Sequence, residues 1–402
     1  MYCRFSFLRT GTNRLMIVYY YSTSMKGSAV LPLFILVILV LLSAGCTQSG
    51  PGTPAVSQPA GTAGPAPADI VLQTTFPQTV VTSTPTVIVN EVWPRGTVDS
   101  DFVVDITVPE KIAPGTTIFP DNHNAARPRV IEVNRLGEIV WEYPLPPELI
   151  SYTNPGWDVE VLPGGNILIL LPRNGVYEIN RDKQVVWKYL DTKVSHDADR
   201  LANGNTLIAF GAADTAADAQ VKEIDSSGKI VWSWHAKDVF TGPDYSQIQD
   251  EGWSHTNAVT RLDSGNTLVS LRNFDVIVEV DPAGKLVRTI GKGLLEAQHD
   301  PLVLSNGTLL LINHGKPHEV LEIDPATSAI LWRFPVKIET SVPVRDANLL
   351  PNGNILITEA DRIVEVTKDK QIVWQFRIVS NPFTDRMSYA SRGFYKAERI
   401  SV

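Results

Sequence analysis

ADRLANGNTLI (residues 198–208) and EIDSSGKIVW (residues 223–232) are the two halves of one sequence motif that decides the fold. In each half a tight turn containing Gly separates two stretches of apolar and β-branched residues, which is the pattern of a β-hairpin. Asn-Gly is a strong signal of this kind, because both central residues of the turn take positive φ. The motif therefore predicts four antiparallel strands.

The same motif recurs along most of the chain. Its second half ends in Trp at five places, with spacings of 46, 45, 100 and 42 residues: Trp141, Trp187, Trp232, Trp332 and Trp374. The long spacing contains a repeat that ends without Trp, LVRTI (residues 286–290). Four strands recurring at a period of roughly 40–50 residues are typical of propeller blades. Six endings predict an all-β fold, a six-bladed β-propeller.

The first repeat lacks its innermost strand. GTTIF (residues 115–119) already corresponds to the second strand of the other repeats, whereas YKAERI (residues 395–400) matches HDADRL (residues 196–201) in register. A closed ring also leaves no exposed sheet edge at its join. We therefore predict that the C-terminal strand closes the ring as the inner strand of blade one, and that the propeller occupies residues 113–402.

The residues before Cys46 predict export. Met25 is the better start, so residues 1–24 are predicted to be an extension that arises from a wrongly placed start codon. Residues 25–46 contain Lys26, a short apolar run and small residues, which is typical of a signal peptide. Their end resembles a lipoprotein lipobox, although Ser43 stands where that motif has Leu. An ordinary cleaved signal peptide and a signal anchor also fit.

The next two segments are predicted to lead from the membrane to the propeller. Residues 47–88 are rich in Pro, Ala, Thr, Ser and Gly, which predicts a linker. Residues 89–112 read as a short β entry segment. We expect the folded part to lie outside the cytoplasm, tethered to the membrane through an N-terminal lipid or a signal anchor.

Composition excludes several classes of function. The net charge is −8 and the 35 Lys and Arg residues are interspersed with acidic residues, so no basic stripe for a nucleic acid is expected. The two cysteines, Cys3 and Cys46, both precede the propeller. The folded domain is therefore expected to contain neither a disulfide nor a cysteine-ligated metal.

Polar residues are predicted to converge at one end of the propeller channel. Counting back from each turn gives one rim residue per blade: Trp157, His196, Asn257, His299, Arg345 and Tyr395. Second strands end at the same rim and add His123, Arg272, Asn273 and His314, while His255 lies two residues before Asn257. Five of the seven histidines thus fall on one face, which predicts a functional site. The aspartates that follow four rim residues are expected to be structural hydrogen-bonding groups: Asp158, Asp197, Asp300 and Asp346.

Four segments at this rim resemble the active-site segments of the PAPS-independent aryl sulfotransferases, in the order that family has. They are SHD (195–197), WSHTN (253–257), LRN (271–273) and QHD (298–300), and the resemblance extends over about residues 113–402. It implies that His299 accepts the sulfuryl group as a transient sulfohistidine. It also implies that Arg272, His196 and His255 hold the sulfuryl oxygens and help the aryl oxide to leave. The paired cysteines usual in the family are absent, and the linker replaces most of the N-terminal β-domain that some members carry.

The resulting expectation is a sulfotransferase that uses neither cofactor nor metal. Small aromatic sulfate esters would donate and phenols would accept, with ping-pong kinetics because one residue carries the group. Arg345 could bind sulfate or pair with a carboxylate. The substrate-binding candidates are Asn257, Asn273, Arg345, Trp253, Tyr395, His123 and His314. Aromatic walls could come from Trp157, Trp253, Phe274 and Tyr395.

Three other functions stay open at this point. Asp225 to Trp232 also fits the blade signature of quinoprotein dehydrogenases, although those propellers usually have eight blades. Convergent histidines could instead bind a metal. A non-enzymatic surface propeller that binds a ligand fits the tether and linker equally well.

Overall fold

The structure is a computed structural model, and it describes residues 4–10, 14–20, 94–153, 156–336, 343–380 and 392–400. The chain divides into two compact units, Met1–Pro85 and Thr86–Val402. In the first unit, β1 (Arg4–Thr10) and β2 (Arg14–Tyr20) form an antiparallel hairpin within the segment predicted to precede the true start. The predicted signal peptide and linker lie outside the described residues. Within the described ranges, no helix is both long enough and apolar enough to span a bilayer.

The second unit is the predicted six-bladed propeller. Its strands in chain order are β3 (Phe102–Thr107), β4 (Thr116–Asp121), β5 (Arg129–Val133), β6 (Ile139–Pro144), β7 (Asp158–Val161), β8 (Ile167–Leu171), β9 (Gly175–Ile179), β10 (Val185–Leu190), β11 (Ala198–Arg200), β12 (Thr206–Ala209), β13 (Val221–Ile224), β14 (Ile230–Trp234), β15 (Thr256–Arg261), β16 (Thr267–Leu271), β17 (Val276–Val280), β18 (Leu286–Ile290), β19 (His299–Val303), β20 (Leu309–Asn313), β21 (Glu319–Ile323), β22 (Ile330–Pro335), β23 (Val344–Leu349), β24 (Ile355–Glu359), β25 (Arg362–Val366), β26 (Ile372–Ile378) and β27 (Glu398–Ile400). Blades two to six start at β7, β11, β15, β19 and β23, and each consists of that strand and the next three, with blade six adding β3.

Strand β27 closes the ring as predicted. It pairs antiparallel with β4, with Glu398 opposite Ile118, and so becomes the inner strand of the sheet β27-β4-β5-β6. Blade one is therefore built from both ends of the propeller sequence. This pairing also brings Tyr395, which precedes β27, to the channel.

The entry segment forms a second closure that the sequence did not predict. Strand β3 pairs with β26, with Phe102 opposite Ile378, and becomes a fifth, outermost strand of blade six. Just upstream, Thr97 exchanges backbone hydrogen bonds of 2.9 and 2.8 Å with Ile139 on the outer strand of blade one. The entry segment thus crosses from blade one to blade six on the outside of the ring.

The recurring tryptophans join neighbouring blades. In each case the indole Nε1 donates to a backbone carbonyl in a turn of the next blade: Trp141 to Arg181, Trp187 to Ser226, Trp232 to Pro282, Trp332 to Lys368 and Trp374 to Arg135, over 2.9–3.1 Å. Blade four ends without Trp, and there the backbone N–H of Gly291 donates to Ser328 Oγ in blade five at 3.0 Å. The repeat period of the sequence therefore corresponds to a hydrogen bond at each boundary between neighbouring blades.

The core consists of apolar clusters made by adjacent sheets. Between blades six and one, Phe119, Phe376 and Phe394 pack with ring centroids 4.8–5.9 Å apart, and Phe102 from the entry strand lies 5.0 Å from Phe376. Burying each such ring stabilises the fold by about 1.5–3 kcal/mol. Phe394 is fully buried, so this cluster fixes the chain immediately before Tyr395.

Helical structure in the described residues is confined to connections. Three are short 3₁₀-helices, Pro147–Tyr152, Ala236–Asp238 and Arg272–Phe274, and α1 (Pro243–Ser246) is one α-helical turn. The turn Arg272–Phe274 follows β16 directly and ends at Asp275, which has a positive φ of 54°. This sharp exit places Arg272 at the rim.

Candidate active site

Three aromatic rings from different blades form a stack at the rim. The ring centroids of His196 and His255 are 5.3 Å apart at an interplanar angle of 23°. Tyr395 lies on the other side of His196, again with centroids 5.3 Å apart, at 25°. Blades three, four and one therefore contribute adjacent side chains.

Blade five contributes a second group of imidazoles. The rings of His299 and His314 lie with centroids 4.4 Å apart, and His314 stacks on His318 at 5.0 Å. His318 was not singled out from the sequence, since it follows a loop rather than a counted strand position. Three imidazoles thus run in contact from His299 toward the partly exposed His318.

Backbone carbonyls fix which nitrogen carries hydrogen in three of these imidazoles, those of His196, His299 and His314. Nδ1 of His299 lies 2.9 Å from the carbonyl oxygen of Ala297, and Nδ1 of His196 lies 3.2 Å from that of Gly156. Because a carbonyl oxygen only accepts, Nδ1 must donate, which leaves Nε2 with its lone pair in the neutral ring. In His314 the roles are reversed, because Nε2 lies 2.6 Å from the carbonyl oxygen of Val344.

Burial keeps these histidines neutral. It lowers the pKa of His196 and His314 to about 4, with the charge of Arg272 contributing to both shifts. It also holds the pKa of His255 and His299 well below the usual value, reinforced by neighbouring imidazoles and Arg272. At pH 7 the site therefore offers unprotonated imidazole nitrogens beside a guanidinium.

Arg272 is only loosely held by protein partners. Its Nη1 donates to Asn273 Oδ1 at 2.9 Å and to Asp250 Oδ2 at 3.3 Å, and the Asp250 side chain is 73% exposed. The Asn273 amide donates to the carbonyls of Asp250 and Gly252 at 2.8 and 3.1 Å. Asn273 thus fastens the loop 250–252, whereas Arg272 can exchange a solvated carboxylate for an anionic ligand.

Left-handed backbone conformations occur at the site. His255 has φ +46°, and Ala297 and Asp300 have φ +45° and +48° on the two sides of His299. Such conformations are unfavourable for residues other than Gly and persist only where their surroundings hold them. Around His255 the carboxylate of Asp214 accepts from the backbone N–H of Ser254 and of His255 at 3.1 and 3.2 Å. Before His299, Asp275 accepts from the N–H of Ala297 at 2.7 Å.

Buried polar atoms that lack a hydrogen-bond partner concentrate in the rim segments. Ten such side-chain atoms occur among the described residues, and five lie in or beside rim positions: Trp157 Nε1, Ser195 Oγ, His255 Nδ1, Asn257 Oδ1 and Gln298 Oε1. Buried polar groups are normally paired, and each exception needs a reason. Asn257 and Gln298 adjoin His255 and His299, so their unpaired atoms are available to a polar ligand, whereas Trp157 is packed in the apolar cluster between blades one and two.

Two further candidates lie with the rim residues. The guanidinium of Arg345 lies over the ring of Tyr395 at 5.2 Å, and its Nη1 donates to the Phe394 carbonyl at 3.1 Å. Asn257 Nδ2 donates to the carbonyl of Gln298 at 2.8 Å, which joins the rim of blade four to the residue before His299. Both side chains are therefore positioned beside the imidazole groups.

The aromatic residues Trp253 and Phe274 are packed in a neighbouring loop core. Trp253 Nε1 donates to the Tyr245 carbonyl at 2.8 Å, and its ring lies 4.9 Å from that of Phe274. Trp253 also lines an open cavity of about 770 Å³ together with Phe240 and Ile248. Their contacts support the loop 236–253 rather than the imidazole stack.

His123 makes its contacts elsewhere. Its Nδ1 lies 2.7 Å from Asp121 and its Nε2 3.4 Å from Asp101, and the ring packs edge-on against Phe102. Although burial lowers its pKa, these two carboxylates outweigh that effect, so the pKa is raised. Counting strands predicted His123 at the rim with the other histidines, but its partners are Asp121 at the end of β4 and Asp101 and Phe102 of the entry segment.

The aspartates after the rim residues are structural, as predicted. Asp158 accepts from the N–H of Ala198 at 3.2 Å, Asp197 from Val259 at 2.6 Å, and Asp346 from Ala397 at 3.0 Å. Each of these bonds joins the inner strand of one blade to that of the next. In blade one the equivalent position is Lys396, which the sequence analysis did not single out although it follows Tyr395 in the same register.

A family model described as Arylsulfotransferase (ASST) matches residues 106–293, which include His196, His255 and Arg272. His299 follows shortly after the matched range. This match confirms the family resemblance predicted from the rim segments.

Several solved structures are similar to the chain. A protein of unknown function from Bacteroides caccae is 19% identical with a TM-score of 0.49, over 71% of this chain and 98% of that one. A streptogramin B lyase is 14% identical with a TM-score of 0.45, over 69% and 88%. A catalytically inactive virginiamycin B lyase from Staphylococcus aureus with quinupristin is 13% identical with a TM-score of 0.45, over 70% and 90%. No curated protein matches the chain.

Proposed function

We propose, from the premise that residues 106–293 belong to the arylsulfotransferase family, that this protein moves a sulfuryl group from a phenolic sulfate ester to a phenolic acceptor through His299. The family match supports aryl sulfotransferase activity in general. The observation that carries the specific proposal is the unprotonated Nε2 of His299, which the Ala297 carbonyl orients and burial keeps neutral.

In the first half-reaction the lone pair on Nε2 forms a bond to sulfur while the bond from sulfur to the ester oxygen breaks. The electron pair leaves on the aryl oxide, whose conjugate phenol has a pKa of about 10, so modest proton donation suffices. The imidazole of His299 gains positive character, and its Nδ1–H then bonds more strongly to the carbonyl of Ala297. In the second half-reaction the acceptor oxygen forms a bond to sulfur while the bond from sulfur to Nε2 breaks, and the phenol proton passes to His196 or His255, whichever imidazole gave up its proton in the first half-reaction.

Charge stabilisation is assigned to Arg272 and the stacked histidines. Sulfuryl transfer, like phosphoryl transfer, spreads negative charge over the outer oxygens, so positioning and electrostatics dominate catalysis. A guanidinium presents planar, permanently charged donors to such oxygens. His196 and His255 are neutral in the free site, and a bound anion would favour their protonation, which supplies the proton that the leaving aryl oxide needs.

The donor is proposed to be an aromatic sulfate ester rather than a nucleotide. Tyr395 and His196 present stacked rings, and Arg345 lies on the face of Tyr395. Because both faces of His196 are covered, a phenyl ring on either substrate would meet this stack edge-on, an arrangement that aromatic pairs favour. We further propose that the reaction takes place outside the cytoplasm, on the basis of the signal-like residues 25–46.

Turnover of 4-nitrophenyl sulfate with a phenol acceptor tests this proposal. We expect acceptor-dependent release of nitrophenol that is lost in His299→Ala, and a sulfuryl adduct on His299 when the acceptor is omitted. His235→Ala is the matched control, since His235 lies in the connection after the outer strand β14. Absence of release and of adduct across several esters, acceptors and pH values would leave a non-enzymatic ligand-binding propeller as the better explanation.

A further inference from the structure

We infer that Lys396 is a positioning residue, which holds the segment that carries His299 and ties the site to the closure of the ring. This inference rests on the proposed function, and it concerns how His299 is aimed rather than a further catalytic group.

Lys396 is the centre of an ion-pair network in the channel. Its Nζ lies 2.7 Å from Asp197 Oδ1 and 3.2 Å from both Asp158 Oδ1 and Asp300 Oδ1. The three carboxylates come from blades three, two and five, and the Lys396 side chain is 14% exposed. One ammonium therefore links the segment preceding β27 to three other blades.

Each member of the network directly follows a rim residue. Asp197 follows His196, Asp300 follows His299, and Lys396 itself follows Tyr395. The ion pairs thus form a layer immediately beside the imidazole layer. A change in the network must act on the backbone that carries the rings, because only one peptide unit separates the two layers.

Of the three ion pairs that Lys396 makes, the one with Asp300 acts most directly on His299, because Asp300 is the next residue in the chain. Asp300 has φ +48°, a conformation that needs outside support, and the salt bridge from Lys396 to its carboxylate supplies part of that support. On the other side of His299, Ala297 also has a positive φ of 45°, and its carbonyl sets the tautomer of the imidazole. Relaxation at Asp300 would move this carbonyl relative to Nδ1, so Nε2 would no longer be held as the free nitrogen in one orientation.

The charge balance shows why a lysine is needed at this position. Asp158, Asp197, Asp300 and Asp346 all act on Lys396, and together they raise its pKa although burial opposes this. Carboxylates this close repel one another, and burial already raises the pKa of Asp158 to about 7. Without the ammonium the aspartates would take up protons or move apart.

Lys396→Met and Lys396→Arg in the full chain test this role. We expect Lys396→Met to slow formation of the His299 adduct from 4-nitrophenyl sulfate by about 100-fold, the scale of a small misplacement, with little change in the dissociation constant of the ester, since Arg272 is intact. Lys396→Arg should recover part of the rate. The matched control is Lys368→Met, which removes a lysine paired with Glu322 at 2.6 Å on an outer turn and should leave the rate unchanged.

Nitrogen-15 NMR of the histidines separates this inference from the proposed function, because it needs no turnover. Wild type should show His299 with hydrogen on Nδ1 alone, and Lys396→Met should show a mixture of tautomers. Asp300→Asn offers a second variant if Lys396→Met does not fold, and it should give the same mixture. A Lys396→Met protein that keeps the wild-type tautomer, or keeps the adduct rate within about twofold, would overturn the inference.

Discussion

The rings of His299 and His314 lie with centroids 4.4 Å apart, and each ring is held by a different backbone carbonyl, Ala297 for His299 and Val344 for His314. Neither imidazole can gain a proton without placing a positive charge against its neighbour. Together with burial, the proximity of the two rings therefore helps to keep the His299 imidazole unprotonated in mildly acidic solution.

Replacing His314 by Gln is expected to narrow the pH range of activity on the acid side. Gln cannot become positively charged, so the pKa of His299 should rise once the repulsion from His314 is removed. Activity is lost as pH falls through that pKa, so the acid limb of kcat/KM should move to higher pH while the rate at pH 8 changes little. If the acid limb of kcat/KM in His314→Gln lay at the same pH as in the wild type, the His314 ring would have no electrostatic effect on His299.

Replacing Arg272 by Lys should reduce kcat/KM by about 10²–10³-fold, because an ammonium cannot reproduce the planar donor set at the sulfuryl oxygens. The control is Arg181→Lys, since Arg181 bonds Glu132 at a blade boundary away from the rim. Steady-state kinetics with 4-nitrophenyl sulfate measures the effect. Equal activity in both variants would remove Arg272 from the mechanism.

Replacing Asp250 by Asn should instead lower KM for the ester. The exposed carboxylate of Asp250 competes with the sulfuryl group for Arg272, from which it lies 3.3 Å away. Exposed pairs of this kind contribute about 0.2–1 kcal/mol, so a decrease in KM of up to about fivefold is expected at low salt. The difference from wild type should shrink as ionic strength rises, and a KM that increases would contradict this competition.

Anion binding is expected to be coupled to proton uptake. His196 has a pKa of about 4 in the free site, and a bound sulfate would raise it. At pH values between the pKa of His196 in the free site and its higher pKa in the sulfate complex, the complex holds more protons than the free protein and free sulfate together. The affinity for sulfate therefore falls as pH rises through this range. Calorimetric titration with inorganic sulfate in buffers of different ionisation enthalpy measures the protons taken up, and none would be seen if the histidines stayed neutral.

Replacing Glu160 by Gln should stabilise the protein at neutral and alkaline pH but not in acid solution. Burial raises the pKa of Glu160 to about 7, with the charge of Glu398 adding to the shift, whereas the ordinary value is 4.5. Its contribution to stability is therefore full below pH 4.5 and is lost as pH rises through 7. We expect the melting temperature of Glu160→Gln to exceed that of wild type by several degrees at pH 8.5 and to equal it at pH 4.5.

Replacing Phe102 by Ala tests how much the pairing of β3 with β26 stabilises the ring. Phe102 is buried between Phe376 and Phe394, with ring centroids 5.0 and 6.0 Å away, and removing a buried Phe costs about 3–5 kcal/mol. Chemical denaturation should show this loss, whereas Val98→Ala, at a side chain that is 78% exposed, should be neutral. A loss below about 1 kcal/mol would mean that β3 contributes little to the closed ring.

The fold was largely predictable because its signals are local. Each blade repeats the same turns, and the recurring Trp marks a bond across each boundary where it occurs, so counting endings gave six blades and a displaced inner strand. The position of β3 could not be predicted in this way. Its alternating pattern indicates a strand, but nothing in residues 102–107 specifies that its partner is β26, far away in sequence.

The site was predictable where strand register decides position, and less so where loops and charges decide it. Inner-strand register placed His196 and Tyr395 side by side. His123 was brought to the rim by the same reasoning, yet its partner Asp101 belongs to the entry segment. Lys396 was overlooked because the equivalent position is Asp in four other blades, and only the folded structure brings a single ammonium to three of those carboxylates.

The late position of β27 in the sequence has a consequence for biosynthesis. Every other site residue, from His196 to Arg345, leaves the ribosome before Tyr395 and Lys396 do. Blades two to six can assemble while blade one still lacks its inner strand and the aspartates still lack their ammonium. On the proposed function, we therefore expect a nascent propeller to be inactive toward sulfate esters until the segment that completes the ring has paired with β4.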